Sequence, residues 1–84
     1  MAKILYFAWV RDAVGTGEET IVIPDTVTTV GALAAYLSDC SNGHAQAFAD
    51  PERLRAAVDL VMVGFDAPIA DAREIAFFPP VTGG

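Results

Sequence analysis

A single segment with helical periodicity lies among several short strand-like runs, and this arrangement limits the possible folds more than any other feature. Four apolar residues follow the i, i+3, i+4, i+7 spacing of one helix face: Val30, Leu33, Ala34 and Leu37. Thr29 is the expected N-cap, with Thr28 as the alternative, and the helix should end near Asp39. One such helix can cover one face of a small sheet, so the pattern predicts an α+β domain.

Strand-like runs lie on both sides of this helix. Residues 3–10 are apolar on both faces, which predicts a central strand, or one with a helix behind it and a partner in front. A turn or short helical connection over 11–17 leads to a second strand, and the two strands form a hairpin. Four segments should follow the main helix: a short helix or irregular stretch over 44–51, a strand over 54–60, its continuation or a short fourth strand over 61–65, and a last strand over 74–78. We therefore expect one domain over residues 1–84, with a mixed sheet of four to five strands.

Charge and composition exclude several classes of function. The 84 residues include 11 acidic and 5 basic side chains, a net charge of −6. Nucleic-acid binding requires a cationic surface, so it is not expected. No apolar run reaches the roughly 18 residues of a membrane span. Cys40 is the only cysteine, which excludes a disulfide within the chain and predicts a reducing, cytoplasmic location.

Residues for independent catalysis are not grouped in the sequence. His44 has no second histidine with which to form a metal site, and we interpret it as a surface histidine or one with satisfied hydrogen bonds. Cys40 has no adjacent cation to stabilise a thiolate, so it is interpreted as inert. No phosphate-binding glycine loop is present. The chain is therefore not expected to be a self-sufficient enzyme or to bind a metal.

The C-terminal residues are the strongest functional signal. The apolar run Phe77–Phe78 leads into Pro79–Pro80, then Val81, Thr82, Gly83 and Gly84. The two glycines lack Cβ atoms and fit a channel too narrow for side chains. Fully extended, four residues reach about 13–14 Å beyond Pro80 at roughly 3.3–3.6 Å each. Residues 79–84 are thus predicted to form an extended tail that presents the Gly84 carboxylate.

A family resemblance extends over the whole chain. It is carried by the opening run Ile4–Ala8 with Val10, Arg11 and Gly15, by Thr29, Val30, Leu33 and Leu37 of the helix, by Ala57 and Val58, by Phe65–Pro68 with Asp71, and most specifically by the ending Ala76–Gly84. On these residues the chain resembles the small subunits of molybdopterin synthase, which are sulfur carriers with the ubiquitin-like β-grasp fold. Two positions depart from that family, Asp59 in place of a common asparagine and Ala72 in place of a turn glycine.

The resemblance implies a mechanism in which other proteins add the reactive sulfur to the C-terminus of this chain. An E1-like adenylyltransferase would use ATP to adenylate Gly84, and a persulfide donor would then convert it to a thiocarboxylate. Residues 81–84 would insert into the active site of the large subunit, in a 2+2 heterotetramer, and sulfur would pass to the cyclic pyranopterin precursor to form the molybdopterin dithiolene. The chain would hold no permanent cofactor and would act only as a synthase subunit.

The resemblance also leaves alternatives and assigns a partner interface. Phe77, Phe78, Pro79 and Pro80 are the candidate contacts with the large subunit, with one phenylalanine expected in the core and the other exposed. The terminal Gly-Gly also fits a sulfur carrier for thiamine or for tRNA thiolation. A ubiquitin-like interaction module remains a further alternative, although Lys3 is the only lysine.

Overall fold

The computed structural model describes residues 1–80, which form a five-stranded sheet with helices packed against one face. The elements in chain order are β1 (Ala2–Tyr6), α1 (Ala8–Val14), β2 (Glu18–Ile21), α2 (Val30–Ser38), α3 (Asn42–Ala47), a 3-10 helix (Pro51–Arg53), β3 (Arg55–Val58), β4 (Val61–Val63) and β5 (Glu74–Phe78). The strand order is β2-β1-β5-β3-β4. The predicted α+β class with a mixed sheet is confirmed.

The last strand, β5, lies at the centre of the sheet. It pairs with β1 in parallel, with Tyr6 opposite Phe77, and with β3 antiparallel, with Arg55 opposite Phe78. The outer pairs, β1 with β2 and β3 with β4, are both antiparallel. Residues 79–84 therefore follow directly from the middle of the sheet, and both neighbouring strands fix the point at which they begin.

The main helix, α2, forms as the apolar spacing predicts. The Thr29 side chain accepts a hydrogen bond from the Ala32 amide at 3.1 Å, which satisfies one of the free N–H groups of the first turn. Asp39 is the C-cap. The four apolar residues of the predicted face, Val30, Leu33, Ala34 and Leu37, are all buried. Local sequence and tertiary packing agree here, which explains why both ends were predicted correctly.

The predicted strand over residues 3–10 is wrong beyond Tyr6. The chain leaves the sheet at Phe7, and Ala8 begins α1 with a φ of 53°, in the left-handed region. A non-glycine residue costs about 1–2 kcal/mol there. Val10 is buried as predicted, but from a helix and not from a strand. The structure therefore has α1, which overlaps the turn or short helical connection expected over 11–17, and α3, which corresponds to the short helix or irregular stretch expected over 44–51.

Two further boundaries differ from the sequence prediction. The short helix or irregular stretch expected over 44–51 is in part α3, which begins earlier, at Asn42, and the Ser41 side chain caps it by accepting from the His44 amide at 3.1 Å. The predicted strand over 54–60 ends at Val58 because Asp59 and Leu60 form a two-residue turn with φ values of 47° and 73°. Positive φ at both positions is the type I′ hairpin pattern, which returns the chain as β4.

Asp59 has a defined role in this turn. Its Oδ1 atom accepts hydrogen bonds from the backbone N–H groups of Arg73 and Glu74, each at 2.9 Å. Its own N–H donates to the Glu74 carbonyl at 2.9 Å. The carboxylate thus supplies an acceptor that joins the β3–β4 turn to the start of β5, so the departure from asparagine does not disturb this contact.

Candidate functional site

The candidate site is the end of β5, where the predicted tail leaves the sheet. Phe77 is 0% exposed, and its ring meets that of Phe48 edge-to-face with centroids 4.9 Å apart. Its side chain offers no surface to a partner, so the prediction of Phe77 as an interface residue is corrected. Phe78, Pro79 and Pro80 are half-buried and keep an accessible surface. The expectation of one core and one accessible phenylalanine is confirmed: the strand register places Phe77 in the core and Phe78 on the accessible face.

Backbone contacts on both sides hold the last residues of β5. The Phe7 N–H donates to the Phe77 carbonyl at 3.1 Å, just past the end of β1. On the other side, Arg55 stands opposite Phe78 at the start of β3. The predicted insertion residues Val81, Thr82, Gly83 and Gly84 lie outside the described residues. The structure therefore defines the base of the tail, and the reactive position predicted at Gly84 stays a prediction.

An apolar row crosses the face of the sheet that lies opposite the core. The strand register places Leu5 beside Ala76, Ala76 beside Ala57, and Ala57 beside Met62. Among residues 1–80 the helices bury the other face, where Ile4 and Ile75 lie, so this row lies on the uncovered face. Its central residue Ala76 is only 8% exposed between the neighbouring strands, while Leu5 and Ala57 are half-buried. We call these four residues, together with Phe78 on the next row, the open face.

Exposed apolar side chains lie within the open face and at its two ends. Met62 is 66% exposed and Leu60, at the tip of the β3–β4 turn, is 87% exposed. Phe7 is 48% exposed beside the end of β5. Phe7 lies beside the base of the predicted tail, whereas Leu60 lies at the opposite end of β5, where Asp59 meets Arg73 and Glu74. Exposed apolar surface of this extent is typical of a protein-binding surface. Sequence reasoning missed it, because the run 60–63 was interpreted only as strand.

A partly buried polar cluster lies on the core side of the sheet. Glu19 Oε1 accepts a hydrogen bond from the Tyr6 hydroxyl at 2.6 Å and contacts His44 Nε2 at 2.5 Å. The other ring nitrogen of His44 lies 2.7 Å from Ser41 Oγ. His44 is 7% exposed and has a partner on each ring nitrogen, as the interpretation of a satisfied histidine predicts. We call these four residues the Glu19 cluster.

The cluster shifts the protonation of two of its members. Burial raises the pKa of Tyr6, and the hydrogen bond and negative charge of Glu19 raise it further. Partial burial acts to raise the pKa of Glu19, but hydrogen bonds from Tyr6 and His44, with the His44 charge, lower it overall. At neutral pH the tyrosine is neutral and the glutamate ionised. The cluster thus joins β1 and β2 to α3. This structural role accounts for its hydrogen bonds without a bound substrate.

Cys40 does not have the environment of a reactive thiol. Its side chain is exposed, and its Sγ atom lies 3.7 Å from the Tyr36 carbonyl oxygen. Partial burial and the charges of Glu19 and Asp39 raise the pKa of the thiol. Because the thiolate is the nucleophilic form, a raised pKa lowers reactivity. Within residues 1–80 no three His, Cys, Asp or Glu side chains are grouped as metal ligands, and no helix is long and apolar enough to cross a bilayer.

Comparison with known proteins gives the family. The model of the ThiS family matches residues 4–84. The chain belongs to the ThiS family. It is 48% identical over 84 residues to the molybdopterin synthase sulfur carrier subunit of Escherichia coli strain K12, with both chains covered completely. A second protein of that name, from Haemophilus influenzae, is 31% identical over 84 residues, again with both chains covered completely.

Solved structures support the fold. A putative molybdopterin converting factor subunit 1 from Pyrococcus furiosus aligns with a TM-score of 0.74 and 27% identity, covering 95% of this chain and 97% of that one. SAMP1 from Haloferax volcanii aligns with a TM-score of 0.71 and 21% identity, covering 99% and 98%. The second likeness shows the fold alone. The predicted family and the β-grasp fold class are thereby confirmed.

Proposed function

We propose that this member of the ThiS family carries sulfur in molybdenum cofactor biosynthesis, with Gly84 as the attachment point. The observation that carries the proposal is its full-length identity of 48% to a protein named as a molybdopterin synthase sulfur carrier subunit. The described fold supports it, since residues 79–84 continue from the central strand β5. The chain then acts as the small subunit of a sulfurtransferase, with catalytic side chains supplied by its partners.

The proposed chemistry activates a poor electrophile in two steps. A carboxylate oxygen of Gly84 attacks the α-phosphorus of ATP on an E1-like adenylyltransferase, and pyrophosphate leaves. Sulfur from a persulfide donor then replaces AMP at the acyl carbon, and reduction of the acyl disulfide by a thiol leaves the thiocarboxylate. Covalent activation of this kind divides one difficult transfer into easier ones. ATP is consumed by the partner enzyme, and this chain needs no permanent cofactor.

The base of the tail suits delivery into a confined site. β5 is held on both sides by β1 and β3, so the tail begins from a rigid point. Pro79 and Pro80 have fixed φ angles, which lowers the entropy lost on insertion. From Pro80, four residues reach about 13–14 Å. The thiocarboxylate is thus presented at a limited distance from a fixed origin, which favours positioning on the large subunit.

The open face is the proposed contact with the large subunit. Its small central residues Ala57 and Ala76 lie between the larger Leu5 and Met62, which gives a shallow apolar surface beside the tail. Phe78, Pro79 and Pro80 continue this surface to the insertion residues. We propose a 2+2 heterotetramer with the large subunit, in the cytoplasm, where a reducing environment preserves the thiocarboxylate and the exposed thiol of Cys40.

Intact-mass analysis and reconstitution test the proposal. Protein from cells with an active pathway should show the mass change of one oxygen replaced by sulfur, localised to Gly84 by fragmentation. Incubated with the large subunit and the cyclic pyranopterin precursor, this form should produce molybdopterin. A variant lacking Gly83 and Gly84 should fold but transfer no sulfur, as should one with a residue added after Gly84.

The same experiment separates the alternatives. Thiocarboxylate formation without pterin thiolation would indicate a carrier for thiamine or for tRNA thiolation. Binding to the partner with no thiocarboxylate, and no loss on removing Gly83 and Gly84, would indicate a ubiquitin-like interaction module. Either result contradicts the proposed function.

A further inference from the structure

A cation–π contact joins the two segments that flank the end of β5. The guanidinium carbon of Arg53 lies 5.0 Å from the centroid of the Trp9 ring, within the range of a cation–π interaction. Trp9 belongs to α1, which follows β1, and Arg53 ends the 3-10 helix that precedes β3. Because β5 lies between β1 and β3, the contact passes across the C-terminal end of β5.

Both sides of this contact are held in place by their own local structure. The Arg53 N–H donates to the Asp50 carbonyl at 3.0 Å, and Pro51 stands at the start of the same 3-10 turn. On the other side, the Val10 N–H donates to the Phe7 carbonyl at 3.1 Å in the first turn of α1. The contact therefore connects two ordered supports and not two free loops.

Its position relative to the strand register coincides with the beginning of the tail. Arg55 is opposite Phe78, the last residue of β5, and Arg53 lies two residues earlier, at the end of the 3-10 helix that leads into β3. Arg53 thus lies near the end of the sheet at which β5 ends. Arg53 is exposed and Trp9 only half-buried, so the pair lies at the surface and not in the core.

We propose that Trp9 and Arg53 form a bracket that fixes the point and direction in which residues 79–84 leave the sheet. Both are then positioning residues for sulfur transfer, and neither touches the reacting atoms. This inference rests on the proposed sulfur-carrier function. Its physical basis is the number of residues that are free to move between the sheet and Gly84. If the end of β5 frays, this number rises and the thiocarboxylate is less concentrated at the active site.

The expected effect follows from the length of this free arm. Release of residues 78–80 lengthens the arm from four residues to seven, or by roughly 10–11 Å at 3.3–3.6 Å each. Effective concentration falls with the −3/2 power of arm length or more steeply, which gives a decrease of about two- to fivefold. The bracket should therefore change the rate of transfer within the docked complex, while docking itself through the open face is preserved.

The test uses full-length thiocarboxylated carrier with the large subunit and the pterin precursor. Arg53→Gln and Trp9→Leu remove the contact, whereas Arg53→Lys and Trp9→Phe retain a cation over a ring. Arg73→Gln is the matched control, since Arg73 is an exposed arginine at the opposite end of β5. Single-turnover sulfur transfer is measured over a range of large-subunit concentrations. Amide hydrogen exchange of residues 77–78 reports fraying of β5. In the variants that keep Trp9, the sole tryptophan, its fluorescence emission reports the contact itself.

We expect Arg53→Gln and Trp9→Leu to lower the saturated transfer rate about two- to fivefold, with half-saturation unchanged, and to speed exchange at residues 77–78. The conservative variants and Arg73→Gln should stay near the wild-type rate. A wild-type rate and exchange in Arg53→Gln would overturn the bracket, as would a change in half-saturation alone. If Arg53→Gln loses its folded urea transition, Trp9→Leu carries the test, and a wild-type rate and exchange in that variant would also overturn the bracket. No transfer by the wild type would instead contradict the proposed function.

Discussion

Replacing Glu19 tests whether its cluster holds α3 against the first hairpin. One carboxylate oxygen, Oε1, serves both the Tyr6 hydroxyl at 2.6 Å and His44 Nε2 at 2.5 Å. Tyr6 is 1% exposed, so its hydroxyl has little access to water if the carboxylate is removed. Glu19→Ala leaves two buried polar groups without a partner, whereas Glu19→Gln retains an acceptor of similar shape and removes only the charge.

The magnitude follows from the cost of unsatisfied groups. Each buried polar group that loses its partner costs about 1–3 kcal/mol, which gives about 2–6 kcal/mol for Glu19→Ala. Glu19→Gln should cost about 1 kcal/mol, because a hydrogen bond to a neutral acceptor is roughly half as strong as one to a charged acceptor. The total stability of a chain of this length is about 4–13 kcal/mol at 0.05–0.15 kcal/mol per residue. The alanine variant should thus lose a large fraction of it.

The pH dependence of stability gives an independent readout of the same cluster. Because the folded state lowers the pKa of Glu19, its contribution is fully present above the unfolded value of about 4.3 and is lost as pH falls through the folded pKa. The stability difference between wild type and Glu19→Gln should therefore be constant at neutral pH and shrink below about pH 4. For Tyr6 the pKa is raised, so its contribution is present below about pH 10 and is lost above it.

Urea denaturation followed by far-UV circular dichroism measures these differences. Tyr6→Phe should cost about 1–2 kcal/mol in the wild type, since it removes one charge-assisted hydrogen bond. In the Glu19→Ala background the same change should restore about 1–3 kcal/mol, because it removes the buried hydroxyl that Glu19→Ala leaves unsatisfied. A loss under about 1 kcal/mol for Glu19→Ala, or additive effects in the double variant, would refute this reasoning.

Two further substitutions separate the core from the surface of the candidate site. Phe77→Ala should destabilise the fold by about 3–5 kcal/mol, as measured by urea denaturation, because the ring is fully buried. Phe78→Ala should preserve stability within about 1 kcal/mol but weaken binding to the large subunit, as measured by calorimetry. Gly43→Ala should cost about 1–3 kcal/mol, because its Cβ would lie 2.3 Å from the Ala13 carbonyl oxygen. Gly17→Ala, whose Cβ has ordinary contacts, is the control, and equal denaturation midpoints for the two glycine variants would contradict this interpretation.

The elements that sequence predicted correctly are those in which several local signals agree. In α2 the apolar spacing, the Thr29 cap and the final Asp39 all indicate the same helix. The last strand was predicted over 74–78 and observed as β5 (Glu74–Phe78), because a turn precedes it and two prolines follow. In both cases residues with strong local preferences, such as a helix-capping threonine or a proline, determine where the element begins and ends.

Helix α1 was missed because its sequence satisfies a strand pattern as well. Ile4, Tyr6 and Val10 alternate with other residues and all three are buried, which is what a strand requires. The chain reversal occurs at Ala8, whose positive φ is not signalled by a glycine or an asparagine. Only packing of α1 against α3, through the close approach at Gly43, selects the helix, and that contact is not visible in sequence.

The candidate site was predicted from resemblance more than from physics. The sulfur-carrier role in molybdenum cofactor biosynthesis agrees with the names of both curated relatives. The positions of Phe77 and Phe78 required the strand register, and the contact of Trp9 with Arg53 required the strand order. These two residues are 44 positions apart, so no local pattern could pair them.

The central place of β5 has a consequence for how the protein is made. The ribosome synthesises this strand after the other four, yet it is the strand that joins β1 to β3. A nascent chain released before residue 74 has two unpaired edges in the middle of its sheet and is exposed to proteases and aggregation. A chain truncated before β5 therefore cannot complete the sheet, and only a polypeptide synthesised through residue 78 can reach the native state.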